Sequence, residues 1–404
     1  MKDVATRFES LGIENAPGQE VMAESGLVDL RGERITETAV DFSHGDVDAF
    51  GPLPGSLDAF VKGYHLGSKQ AYTEYRGKGL IREDIAMKLS DFTGTTIQPN
   101  RDIIITPGTQ GALFLAIGAM VGPGEKVAIV EPDYFANRKL VDFFRGNKVP
   151  VALHYEEKEG EAGLDLIQLE KAFQSGVKLF VFSNPNNPVG VIYSSEEIYH
   201  IAFLARKYNV ALVVDQLYSR QIFEDRTYTH LCAQREAPDN LITIIGPSKT
   251  ESLSGFRLGI AFGTRAIIDR MEKLQAIVSL RAPGYCQSVL QAWFFEPEGF
   301  MEQRIAAHQR IRDGIMSKLH EVEGVCARLT EGGSYLFVKV PELNVTIKEF
   351  TQAVRELAGV TVTPGTEFGP QFTSHFRINF SQDEKSAIAA IEKVLSVLER
   401  YRKK

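Results

Sequence analysis

The chain has 404 residues, 44% hydrophobic, 24% charged and 10% aromatic, with 35 Gly and 17 Pro; this ordinary globular composition is long enough for two or three domains and a sizeable core. Lys plus Arg number 45 against 52 for Asp plus Glu, a formal charge of −7, which argues against a nucleic-acid partner. The three cysteines, Cys232, Cys286 and Cys326, lie far apart with no CxxC pair, which excludes a disulfide frame and a thiolate zinc site and fits a reducing cytoplasm.

Met1 to Glu20 is charged throughout and lacks the apolar core of an export signal. The most apolar window, Ala112 to Val121, is far shorter than the ~20 residues that span a bilayer, so no membrane partner is expected. From Arg101 onward, short β-branched runs alternate with stretches of helical period. The runs are 102–106, 126–130, 178–182, 211–215, 241–245 and 257–262. This is the pattern of a mainly parallel α/β sheet with helices on both faces, and such sheets bind ligands at the carboxyl ends of their strands. Phe300 to Glu323 reads as one long charged helix. Val325 to Val340, Val360 to Phe368 and His375 to Phe380 read as strands, and Ile388, Ile391, Val394, Leu395 and Leu398 form the apolar stripe of a last helix. The expected division is an N-terminal segment, 1–55, able to fold over a site as a lid; a large domain, 56–295; and a small α+β domain, 296–404, that includes the long connecting helix.

Four stretches carry chemistry. Thr106-Pro-Gly-Thr-Gln-Gly-Ala-Leu-Phe114 follows a strand and opens a helix, so Gly108, Thr109 and Gln110 would present free backbone N–H groups as an anion cradle. Glycine is common in such turns on steric grounds, and this stretch alone is a weak signal. Ser183-Asn-Pro-Asn-Asn-Pro-Val-Gly190 ends another strand in dense turn chemistry; it places Asn187 to bond a ligand oxygen and makes Asn187–Pro188 a candidate cis bond. Asp215 ends the most apolar strand, where an ionised carboxylate needs a cation or a strong hydrogen bond. In Gly246-Pro-Ser-Lys-Thr-Glu-Ser-Leu-Ser-Gly-Phe-Arg257, a lysine beside an anion cradle and a buried acid is a Schiff-base candidate, and Arg257 a phosphate clamp.

With these residues in this order, the chain from about Val40 onward resembles the fold-type I pyridoxal-phosphate (PLP) enzymes of the class I and II aminotransferase group. The resemblance implies an α/β, PLP-dependent transferase-like fold: a mostly parallel seven-stranded sheet flanked by helices, with a smaller C-terminal α+β domain. It implies PLP as cofactor, Lys249 as the lysine that bonds the cofactor and carries protons, and Asp215 as the acid that keeps the ring nitrogen protonated. Asn187 and Tyr218 match the partners of the ring hydroxyl, and Tyr134 the ring-stacking aromatic. Gly108, Thr109, Gln110, Ser248 and Arg257 match the phosphate cup. Tyr72, in Tyr72-Thr-Glu-Tyr-Arg-Gly77, matches a tyrosine that reaches the phosphate of a neighbouring subunit, implying a homodimer. Arg377 matches the arginine that grips the carboxylate of an amino-acid substrate, with Asn187 beside it. Gly246 stands where family members often carry a phosphate-binding serine.

A finer resemblance concerns the wording of the 106–114 stretch, Glu131-Pro-Asp-Tyr-Phe-Ala-Asn-Arg-Lys139, Asp215-Gln-Leu-Tyr-Ser-Arg220, the 246–255 stretch and Lys273-Leu-Gln-Ala-Ile-Val-Ser-Leu-Arg281. These stretches are similar to PLP-dependent L-arginine oxidases and hydroxylases of natural-product, including antibiotic, biosynthesis. That resemblance implies O₂ as co-substrate and a 2-keto acid product, either 4-hydroxy-2-ketoarginine or 2-ketoarginine in saturated or unsaturated form. It makes His44 a catalytic proton carrier or water-positioning residue, with Gly45 beside it in the substrate site. A guanidinium also needs acids, for which Glu20, Glu24 and Asp29 are the candidates. The alternative is a conventional α-amino-acid aminotransferase, and Arg281, were it in the side-chain pocket, would favour a dicarboxylic substrate.

Overall fold

The computed structural model describes residues 2–9, 11, 29–35, 39–66, 71–156, 162–224 and 226–404. A short first strand, β1 (Val40–Asp41), precedes the large sheet. That sheet is built from β2 (Ile103–Pro107), β3 (Lys126–Glu131), β4 (Asn147–His154), β5 (Gly163–Leu164), β6 (Leu179–Ser183), β7 (Ala211–Asp215), β8 (Leu241–Ile245) and β9 (Leu258–Gly263). Its order is β2-β9-β8-β7-β6-β3-β4-β5. The pairs from β8 through β4 are parallel, whereas β9 runs antiparallel to both its neighbours. The seventh and eighth places belong to β4, which is too polar along its length to stand out, and to β5, a two-residue antiparallel edge strand. The sheet therefore has eight strands among the described residues where the resemblance implies seven.

Both faces of the sheet are covered, which is why its strands are apolar at consecutive positions. Leu212 and Val214 of β7 face the helices Leu166–Gln174 and Ser195–Tyr208, and Val213 between them faces the helices Gly108–Met120 and Arg265–Val278. Because β6, β7 and β8 share one direction, Ser183, Asp215 and the turn that begins at Gly246 leave the sheet on the same edge.

The C-terminal part forms a second sheet from β10 (Tyr335–Lys339), β12 (Thr363–Pro364) and β13 (His375–Asn379), in the antiparallel order β10-β13-β12. The long stretch read as a strand from Val325 shortens to Tyr335–Lys339, preceded by isolated bridges from Cys326 to Lys339 and from Gly332 to Ile222. The helices Phe300–His320, Ile347–Ala358 and Glu384–Tyr401 contribute to the core beside this sheet. A two-residue strand, β11 (Val360–Thr361), pairs with β1, and Asn379 N–H donates to the Phe42 carbonyl at 2.8 Å, so the turn after β1 is fastened to β13. No helix among the described residues is long and apolar enough to cross a membrane.

Ile244 is fully buried and sits in register with Asp215 across β7 and β8. Ile244→Ala is expected to lower unfolding stability by about 2–5 kcal/mol, read from the urea midpoint at an unchanged slope.

Candidate active site

At the carboxyl edge of the large sheet, against the small sheet, lies a cavity of ≈ 670 Å³. Its first wall is backbone. The helix Gly108–Met120 starts directly from β2 with no side-chain cap at Pro107, so its first-turn N–H groups lack intrahelical partners. Thr109 and Gln110 of that turn line the cavity together with Ser248 and Arg257. Close packing makes the cradle: Gly108 has φ +75°, and a Cβ there would stand 2.6 Å from Arg257 Nη2. A Cβ on Gly259 of β9 would meet the Gly108 backbone at 2.3 Å. The same packing accounts for Gly246, because a Cβ there would lie 2.9 Å from Thr109 Cγ2; the threonine methyl fills the space a serine would need. A helix N-terminus, a guanidinium and a hydroxyl thus converge where a dianion would sit.

Asp215 reaches the cavity from the end of β7. Its Oδ1 accepts the Leu217 N–H at 3.1 Å, and no cation pairs with it among the described residues. Burial raises its carboxyl to about 6, with the Leu217 bond pulling the other way. Asn187, Tyr134 and Tyr218 line the same space, and Tyr134 Oη donates to Gln110 Oε1 at 3.1 Å.

Behind them sits Asp133, an acid not singled out in the sequence. It accepts the N–H groups of Tyr134 and Ser183 at 2.6 and 2.9 Å and the Ser183 hydroxyl, while Ser183 Oγ accepts the Asn187 N–H at 3.2 Å. Burial lifts Asp133 to about 8, against the bonds from Ser183 and Tyr134. One buried acid therefore ties the Tyr134 turn to the Asn187 turn. The cis bonds in these turns are Glu131–Pro132 and Asn184–Pro185; Asn187–Pro188 is not among them.

Lys249 lines the same cavity as Arg377, which comes from β13. Arg377 is 4% exposed. Its Nη1 donates to Asn187 Oδ1 at 3.2 Å, its Nη2 to the Ser43 carbonyl at 3.0 Å, and its Nε has no partner. Its guanidinium carbon stands 4.4 Å from the Tyr335 ring centre, and no carboxylate pairs with it among the described residues. A buried guanidinium without an anion is a receptor for one.

The remaining predicted residues fall in different places. His44 is at the cavity rim, its side chain 65% exposed, with Nδ1 3.3 Å from Asp41 Oδ2. Gly45 lines an adjoining cavity of ≈ 310 Å³ that also reaches Lys249 and Ser248. Tyr72 is 79% exposed and does not line the cavity; Arg281 lies 5.0 Å above its ring. Asp29 pairs with Arg31 at 3.1 Å, and its carbonyl accepts the Tyr401 hydroxyl of the last helix, away from the cavity lining. Glu20 and Glu24 lie outside the described residues. Tyr335 and Thr363, missed in the sequence, also line the cavity; their signal is strand alternation and register, which places them on the same face as Arg377 but says nothing of a ligand.

These groups fit pyridoxal phosphate: a dianion cradle, a carboxylate that lacks its cation, an aromatic ring and a lysine amine share one space. A family model described as aminotransferase class I and II matches residues 40–394. The chain belongs to that family. Pyridoxal phosphate is accordingly its coenzyme. A solved aspartate aminotransferase from Rhodobacter sphaeroides is 54% identical, covers 99% of this chain and 100% of its own, and superposes with a TM-score of 0.93. The aspartate/prephenate aminotransferase of Thermus thermophilus is 26% identical over 99% of this chain and 100% of its own length. A putative aminotransferase of Bacillus subtilis is 28% identical over 83% of this chain and 86% of its own.

The comparisons overturn O₂-dependent arginine oxidation, and with it arginine as substrate, O₂ as co-substrate and a place in antibiotic biosynthesis: the 54% identical protein is an aspartate aminotransferase. The physical reason agrees. Of the acids lining the cavity, Asp41 is beside His44, Glu367 is paired with Lys139 at 2.5 Å, and Asp215 faces the cofactor space. None of these three is left for a guanidinium. The shared wording lies around the coenzyme cup, which many reactions use unchanged.

An acid raised from 3.8 to about 6 by the fold makes the native state bind more protons than the unfolded chain between those values, so its contribution to stability falls as pH rises through that window. In coenzyme-free protein, Asp215→Asn is expected to be more stable than the parent above about pH 6. The difference should shrink to nothing below about pH 4, as read from paired urea midpoints across the range.

Proposed function

We propose that the protein moves the amino group of an α-amino acid to a 2-oxo acid, with aspartate as the donor that the names of its relatives suggest. The observation that carries this reading is Arg377, a buried guanidinium without an anion among the described residues, facing the cavity that also holds Lys249 and Asp215. When bound, the coenzyme supplies an aldehyde to take the amino group and a ring that draws electrons from the substrate's α-carbon.

The chain's own residues do the rest. Asp215 keeps the proton on the ring nitrogen, where carboxylate and cation stabilise each other out of water. Asn187 and Tyr218 would bond the ring hydroxyl, Tyr134 would cover the ring, and the Gly108–Gln110 turn with Ser248 and Arg257 would hold the phosphate. Arg377 binds the substrate α-carboxylate through its fork of N–H groups, which orients the α-hydrogen. Lys249 Nζ, in the same cavity, would be the base that takes that proton and the acid that returns it.

A dicarboxylic substrate needs a second cation. Lys249, Arg257 and Arg377 are the cavity-lining cations among the described residues, and each already has a task. Arg281 lies outside, its guanidinium carbon 5.0 and 5.3 Å from the ring centres of Tyr72 and Tyr75. This supports a homodimer in which Tyr72 reaches the partner site's phosphate and Arg281 the side-chain carboxylate of its substrate. A reducing cytoplasm is the compartment proposed, in keeping with the three free cysteines.

The test is a single turnover of PLP-loaded protein with L-aspartate, in air and under nitrogen. Oxaloacetate equal to the enzyme present is expected in both, with a 2-oxo acid restoring the starting spectrum; product formed only in air would reject amino transfer. Arg377→Lys, which keeps the charge but loses the fork, should raise KM for the amino acid about 10- to 100-fold, with a smaller change in kcat.

A further inference from the structure

An ion pair stands in the wall of the active-site cavity near Arg377. Glu367 closes the short turn Gly365–Glu367, which follows β12 directly. It lines the cavity and is 8% exposed. Lys139 comes from the helix Phe135–Phe143, which begins one residue after Tyr134. Its Nζ donates to Glu367 Oε2 at 2.5 Å and stands 5.4 Å from the ring centre of Phe135, another cavity-lining residue. Lys139 is not itself part of the lining, so the carboxylate faces the cavity and the ammonium backs it. A second tie joins the same two segments: Gln371 Nε2 donates to Glu131 Oε2 at 2.9 Å, and Glu131 Oε1 lies 3.5 Å from Arg138 Nε.

Residues on either side of Glu367 touch Arg377. The Phe368 ring centre is 4.9 Å from the guanidinium carbon, and Thr363 Oγ1 is 3.4 Å from Nη2. A substrate with its α-carboxylate on Arg377 and its amine toward Lys249 has only its side chain left to meet the remaining walls. Of the acids lining the cavity, Asp215 faces the cofactor space and Asp41 is half-exposed beside His44, which leaves Glu367 as the buried charge on a wall that a side chain can approach. An unpaired carboxylate there would repel a second carboxylate strongly, because little water screens it.

We propose that the Lys139–Glu367 pair determines specificity for the substrate's side chain. Lys139 cancels the charge of Glu367 and so lets the site accept a dicarboxylic amino acid, while Glu367 keeps that ammonium from acting as a second free cation. This deepens the reading of Arg377 as the α-carboxylate receptor and rests on it. The sign of each substitution follows from charge. Losing Lys139 leaves the wall at −1 and disfavours a second carboxylate; losing the charge of Glu367 leaves it at +1 and favours one. Removing both returns the wall to neutral. Glu131, Arg138, Arg281 and Arg377 are the same in every variant.

The experiment measures dissociation constants of succinate and butyrate by ligand-observed NMR, on PLP-loaded parent, Lys139→Met, Glu367→Gln and the double variant. Butyrate keeps one carboxylate and puts a methyl group in place of the other, so the preference for succinate over butyrate reads the second charge alone. That preference should fall about 10-fold in Lys139→Met and rise about 10-fold in Glu367→Gln. The double variant should stay within about twofold of the parent. Should Lys139→Met fail to fold with a buried unpaired acid, Glu367→Gln and the double variant carry the same comparison. A preference that is equal in all folded variants would overturn the proposal, since the pair would then not face the second carboxylate. A fall in both single variants would overturn it too, because the pair would then act by holding the wall in shape. Parent protein that binds neither ligand would refute the Arg377 reading, and this inference with it.

Discussion

A carboxylate at the end of a buried strand, with no cation of its own, is the constraint around which this molecule is arranged. Asp215 has one backbone N–H and an apolar strand behind it. In the free protein that charge is costly, and burial raises the carboxyl to about 6. A protonated pyridine ring would supply the missing cation, and in the proposed reaction that pairing would keep the ring able to draw electrons from the substrate. The same interaction couples stability to function, because the protein carries an unfavourable charge that its coenzyme relieves.

The rest of the fold positions groups around that point. Parallel β6, β7 and β8 bring Ser183, Asp215 and the Lys249 turn to one edge. Antiparallel β9 then presses Gly259 against Gly108 so tightly that no side chain fits between them, which sets the phosphate cradle beside Arg257. Arg377 spans the two sheets and the turn after β1: one guanidinium bonds Asn187 from the large sheet and the Ser43 carbonyl from the early segment, while Thr363 lies at 3.4 Å on the small sheet. Closure of the small sheet over the large one is therefore also the placement of the carboxylate receptor.

Much of this was legible in the sequence because the determinants are local. Strands buried on both faces read as apolar runs, and glycine, proline and asparagine mark the turns at their ends; the residues chosen from those turns meet in one cavity. What stayed hidden depends on long-range pairing. β4 mixes polar and apolar residues because its position near the sheet edge leaves it partly exposed. Asp133 reads as an ordinary turn acid until Ser183, fifty residues away, is seen to donate to it. Tyr335 is indistinguishable from a core aromatic in a strand until β10 faces the turn after β7. Asp29 illustrates the opposite error: an acid near the N-terminus was a natural partner for a cationic substrate, but it sits with Arg31 beside the last helix. The substrate was the least legible feature, since words shared around a coenzyme cup record how the coenzyme is held and not what is done with it.

The central claim is that Asp215 keeps the coenzyme's ring nitrogen protonated inside the protein. Nitrogen NMR of protein loaded with isotope-labelled coenzyme measures that proton directly. At about pH 8, above the range in which the carboxylate would itself be neutral, the ring nitrogen should carry its proton in the parent protein and lose it in Asp215→Ala. A nitrogen equally protonated in both, or bare in the parent, would contradict the account.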